Sequence, residues 1–196
     1  MVSQASMSSG MPVSLSVDYP ERLSRLLIFF KGLLVLPNAI VLMFYGVAAW
    51  FAMSIGWFVI LFTGRLPAGL HNLMVNYLRW NLRVQAYTLL LTDAYPPYTG
   101  RADVASPVHL ECARAERLSR GLIFVKGFLA IPHLFALAFV GFAAMVVISI
   151  AWWVILFTGK FPRGMFDFVV RYLRWSARVN AYVYLLRDEY PPFSGA

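Results

Sequence analysis

The sequence has one cysteine, Cys112, and few charged residues. A single cysteine excludes a disulfide framework within the chain and a cysteine-based metal cluster. Charged residues make up 13% of the 196 residues, about half the share usual in soluble proteins, whereas hydrophobic residues make up 60%. A small soluble domain cannot hide so much apolar surface, because much of its surface stays in contact with water. The composition therefore indicates that lipid surrounds part of the chain.

Acidic side chains are absent from two long apolar stretches, residues 26–62 and 121–157. Proton-coupled transporters usually need ionisable groups inside the membrane, and His133 is the one histidine in these stretches. We interpret His133, which follows Pro132, as a polar group that satisfies backbone atoms near a helix kink. The sequence contains no phosphate-binding loop, nucleophile elbow, zinc-ligand spacing or convergent acid and base. We therefore expect no enzyme activity, no metal and no cofactor.

Basic residues give the chain a net charge of +8, and they flank the apolar stretches. This placement is typical of anchoring on the cytoplasmic side of a membrane and of contact with anionic lipids. Because the apolar excess accompanies the charge, we expect membrane lipids and not nucleic acid as partners. Residues 1–17 carry no charge and lack the basic and apolar regions of a secretory signal, so we expect a flexible tail there.

The chain contains two copies of one unit. Residues 21–100 align with residues 116–195 without a gap, at a constant offset of 95 residues, and about half of the aligned positions are identical. A long internal repeat of this kind indicates duplication of one structural unit. We divide the chain into a flexible tail (residues 1–18), a first membrane repeat (19–100), a polar linker (101–114) and a second membrane repeat (115–196).

Each apolar stretch is too long for one upright membrane span. Its 37 residues would form a helix of about 55 Å, whereas the hydrocarbon core of a bilayer is about 30 Å thick. Basic residues lie before and after each stretch, and none lies near Phe44-Tyr45-Gly46 at the middle of the first. A hairpin would place all of them on one side of the membrane, in agreement with the positive-inside rule. We therefore predict an all-α integral membrane fold with a helical hairpin in each repeat, four spans and both termini in the cytoplasm.

A second interpretation uses Pro37 and Pro132, because the residue before a proline disfavours the α-helical region. Residues 22–36 would then form an interfacial helix and residues 37–62 a single span, with the same division in the second repeat. This interpretation gives two spans in the whole chain. A shallow hairpin that enters the membrane without crossing it is a third arrangement.

A corner and an amphipathic helix are predicted after each apolar stretch. Thr63-Gly64 suits a helix C-terminus, and Pro67 suits the first turn of the next helix. Residues 68–91 combine apolar side chains at i, i+3, i+4 spacing with asparagines and arginines, and the second repeat has the same pattern. Such a helix lies in the headgroup plane or packs on the protein's own bundle. Both interpretations are compatible with the sequence.

Two sets of side chains are candidates for contact with the membrane surface. Lys31 and Lys126 are the only charges within the apolar stretches, and either snorkelling or binding of a lipid headgroup would explain them. The candidate headgroup contacts are Arg25, Lys31, Arg79, Arg83, Arg120, Lys126, Arg174 and Arg178. The candidate interfacial aromatic residues are Tyr77, Trp80, Tyr87, Tyr172, Trp175 and Tyr182.

Three motifs recur in the same order in both repeats. The apolar stretches end in Phe62-Thr63-Gly64-Arg65 and Phe157-Thr158-Gly159-Lys160, and a Tyr-Pro-Pro segment follows each amphipathic helix. This order resembles a bacterial family of small membrane proteins known as a domain of unknown function, here as a tandem duplication. The resemblance covers nearly the whole chain after the tail. It implies a bacterial cytoplasmic membrane, and it supplies no activity and no functional residues.

These observations lead to two hypotheses on function. The first is a non-catalytic structural or accessory membrane protein, either a small subunit of a larger membrane complex or a scaffold that shapes lipid. We expect its protein partner to be another membrane protein or further copies of the same chain. The second is a small carrier or channel for lipid, quinone or another apolar solute, because duplicated units are common in transporters. The lack of carboxylates in the apolar stretches disfavours the second hypothesis.

Overall fold

Six elements of regular structure form the part of the chain that a computed structural model describes, residues 13–195. In chain order they are strand β1 (Val13–Val17), helix α1 (Leu27–Thr63), helix α2 (Ala68–Thr88), strand β2 (Val108–Cys112), helix α3 (Leu122–Thr158) and helix α4 (Arg163–Val183). The fold is mostly helical, with one two-stranded sheet. The offset of 95 residues relates each element of the first repeat to one of the second.

Each apolar stretch forms one continuous helix, so the predicted hairpin is wrong. α1 and α3 contain 37 residues each, and α1 continues through Phe44 and Gly46 without interruption. Gly46 instead makes room for a neighbouring ring, because a Cβ there would lie 3.2 Å from the Tyr77 hydroxyl. The hairpin followed from the assumption that each stretch stands upright in the bilayer. A helix in another orientation needs no break.

Pro37 and Pro132 lie inside the long helices, so the predicted helix start at Pro37 is also wrong. A proline lacks an N–H and leaves the carbonyl four residues earlier without its usual donor. Next to that carbonyl, the Tyr95 hydroxyl donates a hydrogen bond to the Leu34 carbonyl at 3.2 Å. Tyr190 makes the same contact in the second repeat. The segment after the second helix of each repeat therefore supports the long helix beside its proline.

α1 and α3 are the two helices in residues 13–195 that are long and apolar enough to cross a membrane. Only 28% of the most apolar part of α1 is buried in the protein, and only 17% of that of α3. A core helix of a soluble protein is mostly buried, whereas these two helices are mostly exposed. The four predicted spans thus correspond to two candidate helices.

The predicted corners after the long helices are confirmed. Gly64 has a φ of 68° and Gly159 a φ of 70°, in the left-handed region that glycine adopts without strain. The Gly64 N–H donates to the Ile60 carbonyl at 2.7 Å and so closes the last turn of α1. Pro67 directly precedes α2, as its fixed φ predicts.

α2 ends at Thr88, three residues before the predicted end of the helix. Leu90 adopts a φ of 61°, and the Leu91 N–H donates to the Ala86 carbonyl at 2.9 Å. This bond closes the helix in the manner of a Schellman motif. No glycine marks this end, because a leucine takes the left-handed position, so the sequence does not reveal it.

The predicted flexible tail and polar linker contain the two strands, which pair in antiparallel register. Leu15 pairs with Leu110, and these two residues are themselves equivalent in the repeat. Val13 and Leu15 are buried whereas Ser16 is exposed, so one face of the sheet packs on the protein. The prediction of a flexible tail is therefore wrong for β1, and the polar linker contains the strand β2. Residues 1–12 of the predicted tail lie outside the described residues.

The two repeats face each other across a pseudo-twofold axis. The Leu23 N–H donates to the Gly159 carbonyl, and the equivalent Leu118 N–H donates to the Gly64 carbonyl, both at 2.9 Å. The start of each long helix therefore lies beside the end of the other, and the two helices are antiparallel. Rings at both ends show the same relation, with centroids 5.0 and 5.1 Å apart in the pairs Phe29–Trp152 and Trp57–Phe124.

The elements lie in three layers. α1 and α3 form the first layer, α2 and α4 the second, and the two strands the third. β1, which precedes the first repeat, packs on α4 of the second repeat. β2, which precedes the second repeat, packs on α2 of the first repeat. The main hydrophobic core takes side chains from all three layers. This exchange of strands ties the two repeats into one body.

Candidate functional site

The outer surface of the first layer is apolar along its whole length. Phe44 and its counterpart Phe139, near the middle of the two helices, are 66% and 76% exposed. The only charged residues of these helices, Lys31 and Lys126, are buried. Elsewhere in residues 13–195, the exposed large hydrophobic residues are Leu26 before α1 and four aromatic residues after α2 and α4: Tyr95, Tyr98, Tyr190 and Phe193. An apolar surface of this extent marks contact with lipid or with another protein.

The opposite face of the molecule is polar. Ser16, His109 and Glu111 on the outer face of the sheet are exposed. Asp18, directly after β1, is 69% exposed and lies 3.4 Å from His109. The molecule therefore has one apolar and one polar face, with the layer of α2 and α4 between them.

A buried ion pair joins α1 to the segment after α2. The Lys31 Nζ lies 2.8 Å from the Asp93 carboxylate and donates to the Thr92 carbonyl at 2.7 Å. It also lies 5.0 Å from the centre of the Tyr87 ring, at the range of a cation–π contact. The second oxygen of Asp93 accepts the Ser24 N–H at 2.6 Å, just before α1. One carboxylate therefore binds both the lysine and the start of the same helix.

The second repeat contains the same network. The Lys126 Nζ lies 2.7 Å from the Asp188 carboxylate and 5.0 Å from the centre of the Tyr182 ring. It donates to the Arg187 carbonyl at 2.7 Å, and Asp188 accepts the Ser119 N–H at 2.5 Å. Because both copies bury the pair in the same way, we assign it a structural role in each repeat.

Arg79 and Arg83 on α2 are buried and bind backbone carbonyls. Arg79 donates to Leu110 of β2 at 3.0 Å and to Gly100 at 2.7 Å. Arg83 donates to the Thr99 carbonyl at 3.0 Å. A buried guanidinium needs such acceptors, because removal from water without them is costly. The two arginines therefore hold β2 and the segment after α2 on the second layer.

The equivalent arginines on α4 bind the equivalent acceptors. Arg174 donates to Leu15 of β1 at 3.1 Å and to Gly195 at 2.9 Å. Arg178 donates to the Ser194 carbonyl at 3.2 Å. Since each strand packs on the other repeat, Arg79 and Arg174 both fasten one repeat to the other.

The structure places six of the eight predicted headgroup contacts against protein partners. Arg25 and Arg120 are exposed, and they lie beside Gly159 and Gly64 at the two ends of the first layer. Contact with a lipid headgroup therefore remains a prediction for Arg25 and Arg120. The other six donate to protein carbonyls or carboxylates instead: Lys31, Arg79, Arg83, Lys126, Arg174 and Arg178.

The predicted interfacial aromatic residues also lie inside. Four of them are buried: Trp80, Tyr87, Trp175 and Tyr182. The other two, Tyr77 and Tyr172, are partly buried. α2 and α4 therefore pack on the protein's own bundle, which is one of the two interpretations of their pattern. The aromatic residues at the edge of the apolar layer are instead the four that follow α2 and α4.

Asn38 and His133, at equivalent positions after the helix prolines, are fully buried. The Trp80 Nε1 donates to the Asn38 side-chain oxygen at 2.7 Å, and the Trp175 Nε1 donates to the His133 Nδ1 at 3.3 Å. The His133 ring also stacks on Phe193 with centroids 3.9 Å apart. His133 thus serves as an acceptor for a tryptophan side chain, and not for backbone atoms as predicted.

Two equivalent cavities lie between the first and second layers. One of about 200 Å³ is lined by Gly46, Ala49, Tyr77 and Tyr184, among others. Its counterpart of about 430 Å³ is lined by Gly141, Ala144, Tyr172 and Leu89, among others. Burial and the neighbouring Tyr77 raise the pKa of Tyr184 to about 12, so its hydroxyl stays protonated at neutral pH. The cavities are mainly apolar. Tyrosines line both of them, and Gln85 and Thr88 also line the larger one.

Cys112 on β2 is expected to react slowly with thiol reagents, with a rate that rises about tenfold per pH unit from pH 7 to 9. Burial raises the pKa of its thiol to about 11. Only the thiolate reacts, and at pH 8 about one thiol in a thousand is ionised at such a pKa. Stopped-flow alkylation of the native protein, with free cysteine as the control, measures this. A plateau near pH 9, where free cysteine levels off, would contradict the raised pKa.

The sequence did not predict the partners of the two buried lysines or the two strands, although both features recur at the offset of the repeat. Asp93 and Asp188 stand at the same separation from Lys31 and Lys126 in the two copies. The strands also recur at the offset of 95 residues, with alternating apolar residues in Val13–Val17 and Val108–Cys112. Neither pattern identifies its partner, because the contacts join distant parts of the chain. Within residues 13–195, no group of three His, Cys, Asp or Glu residues has the arrangement of a metal site.

Over residues 13–195, the fold is that of a duplicated, mostly helical protein with two helices long and apolar enough to cross a membrane. Residues 25–99 and 120–195 each match the family described as Domain of unknown function (DUF4389). The matches cover most of the chain, which therefore belongs to this family as a tandem duplication. No curated protein and no solved structure matches the chain. Both matches begin after the strands, so the family unit comprises the long helix, the amphipathic helix and the segment that follows.

Proposed function

We propose that this chain is a non-catalytic structural protein of a membrane, with α1 and α3 embedded in lipid. Within residues 13–195, the exposed large apolar side chains are confined to these helices, to Leu26 directly before α1 and to the aromatic residues beside them, and this confinement carries the proposal. Contact of that surface with water would be unfavourable by about 25 cal/mol per Å². The polar outer face of the sheet supplies the side that faces water.

The internal charges support a structural role. Each buried lysine is held by an aspartate of its own repeat, and Arg79 and Arg174 bind the strands. These contacts fasten the layers to one another. The family resemblance carries the further proposal of a bacterial cytoplasmic membrane. A larger complex or a homo-oligomer would cover part of the apolar layer in place of lipid.

Fractionation of cells that express the tagged full-length chain tests the proposal. We expect the protein to stay with membranes after washing with alkaline carbonate and after washing with urea, and to be released by mild detergent. Embedded apolar helices resist both washes because neither removes lipid contact. Mass spectrometry of the detergent-purified protein then identifies bound lipids and proteins. A monodisperse protein that is soluble without detergent would refute the proposal.

Charges in the middle of the apolar layer are expected to abolish membrane retention. We expect the double variant Phe44→Asp, Phe139→Asp to move to the carbonate supernatant or to be degraded. Each aspartate opposes insertion by about 2.5–3.5 kcal/mol on scales for the centre of a membrane helix. Ser16→Asp, on the exposed face of the sheet, is the matched control and should remain in the membrane fraction. Equal retention of both variants would exclude lipid contact at Phe44 and Phe139.

The two cavities favour a second candidate function, a carrier for an apolar molecule. Their mainly apolar walls suit a lipid chain or a quinone. Trp50 lines one cavity and Met145 the other, and both are exposed residues of the layer proposed to contact lipid. Filling the larger cavity with Ala138→Leu, at an exposed lining residue, should reduce exchange of a fluorescent lipid between proteoliposomes and acceptor vesicles. Exchange no faster than in protein-free liposomes would exclude this candidate.

A further inference from the structure

We infer that α1 and α3 lie in the plane of the membrane within one leaflet, so that the protein contacts a single membrane surface and does not cross the bilayer. This inference rests on the proposed function, because it assumes that the apolar layer contacts lipid. Four features of the molecule point to it.

The first feature is the length of the apolar surface. Exposed apolar side chains run from Leu26 to Phe62 on α1, a distance of about 55 Å along the helix. An upright helix would leave nearly half of this surface outside a hydrocarbon core of about 30 Å. A helix parallel to the membrane keeps the whole surface in lipid. The layer is one helix thick, about 10 Å, which fits within one leaflet of about 15 Å.

The second feature is the symmetry of the charges. The pseudo-twofold axis crosses the middle of the long helices, so equivalent basic residues lie at both ends of the first layer. Arg25 lies beside Gly159 at one end, and Arg120 lies beside Gly64 at the other. Upright helices would place Arg25 and Arg120 on opposite sides of the membrane, against the positive-inside rule. Helices in the plane place both arginines on the same side.

The third feature is the position of the sheet. The equivalent residues Leu15 and Leu110 pair with each other, so the sheet lies at the symmetry axis, level with the midpoints of α1 and α3. His109 and Glu111 on its outer face are exposed, and so is Asp18 directly after β1. If the long helices stood upright, these side chains would lie at the depth of the bilayer centre, where charged groups are strongly disfavoured. With the helices in the plane, the sheet faces water.

The fourth feature is a set of aromatic residues at the boundary between the faces. Tyr95 and Tyr190 are 41% and 45% exposed, and their hydroxyls bind carbonyls of the long helices. Tyr98 and Phe193 lie beside them. Tyrosine prefers the headgroup region because its ring is apolar and its hydroxyl is polar. These residues therefore define the membrane surface on both repeats.

The test measures the membrane depth of three exposed positions along α1. Leu33→Cys, Phe44→Cys and Phe58→Cys, each in a Cys112→Ser background, carry a nitroxide label in proteoliposomes, and collision with oxygen and a water-soluble relaxant gives the depth. All three side chains are exposed, so the labels leave the packing intact. We expect equal depths at the three positions. An upright helix would place Phe44 about 15–20 Å deeper than the other two and would overturn the inference.

Labelling from one side supplies a second readout. Glu21→Cys and Glu116→Cys mark the equivalent exposed ends, and Ser16→Cys marks the sheet. In spheroplasts and in inverted vesicles, we expect a membrane-impermeant maleimide to label all three from the same side. Labelling of the two ends from opposite sides would overturn the inference and leave the proposed function intact. Failure of the protein to enter liposomes at all would refute the proposed function instead.

Discussion

Asp93→Asn is expected to lower the free energy of unfolding by about 2–3 kcal/mol, more than loss of its partner lysine does. The Lys31 side chain is 2% exposed, whereas that of Asp93 is 28% exposed. Without the carboxylate, the ammonium group stays buried with the Thr92 carbonyl as its remaining acceptor. The asparagine oxygen can still accept the Ser24 N–H, so the substitution isolates the charge. We would measure unfolding in detergent micelles by near-ultraviolet circular dichroism.

Lys31→Met is the comparison that establishes the asymmetry. It leaves an aspartate that reaches water and keeps its bond to Ser24, so we expect a loss of about 1–2 kcal/mol. The double variant should lose less than the sum of the two single variants, because each single variant leaves one group of the pair unpaired. Arg101→Ala, which breaks the exposed pair with Asp103, should not change stability measurably. Equal losses for all three single variants would show that burial of the lysine pair has no energetic weight.

Gly100→Ala is expected to reduce stability by about 3 kcal/mol or more. A Cβ on Gly100 would lie 1.6 Å from the carbonyl oxygen of Asn76, which belongs to the backbone of α2 and cannot move aside. The segment after α2 must then lift away, and Arg79 loses its 2.7 Å bond to the Gly100 carbonyl. A buried guanidinium with one acceptor fewer adds to the loss. Thermal unfolding and limited proteolysis of residues 98–107 would measure both effects.

Gly32→Ala is the matched control. Gly32 lies inside α1, and a Cβ there has no neighbouring atom within 4 Å. We expect unchanged stability or a gain of up to about 1 kcal/mol, because alanine favours a helix more than glycine does. If Gly100→Ala were as stable as Gly32→Ala, the close approach to α2 would not form in the protein.

The sequence alone determined that the protein is duplicated and mainly helical and has long apolar segments. The apolar excess, the repeat at a constant offset and the glycine corner at Gly64 are local properties, because each depends on composition or on a few adjacent residues. They predicted a duplicated helical protein with long apolar segments, and the structure has these features. The ends of the long helices were also predicted correctly to within a residue or two, because charged residues and glycine interrupt the apolar pattern there.

The tertiary structure decided the features that depend on contacts between distant parts of the chain. Gly46 resembles a turn in the sequence, but in the structure it accommodates the Tyr77 ring within a continuous helix. In the sequence Lys31 resembles a surface anchor, but in the structure it is buried and forms an ion pair with Asp93. The strands acquire regular structure only by pairing with each other across the symmetry axis. A sequence pattern reports which groups avoid water. Packing of the folded chain decides which group pairs with each buried charge, because the two groups lie far apart in the sequence.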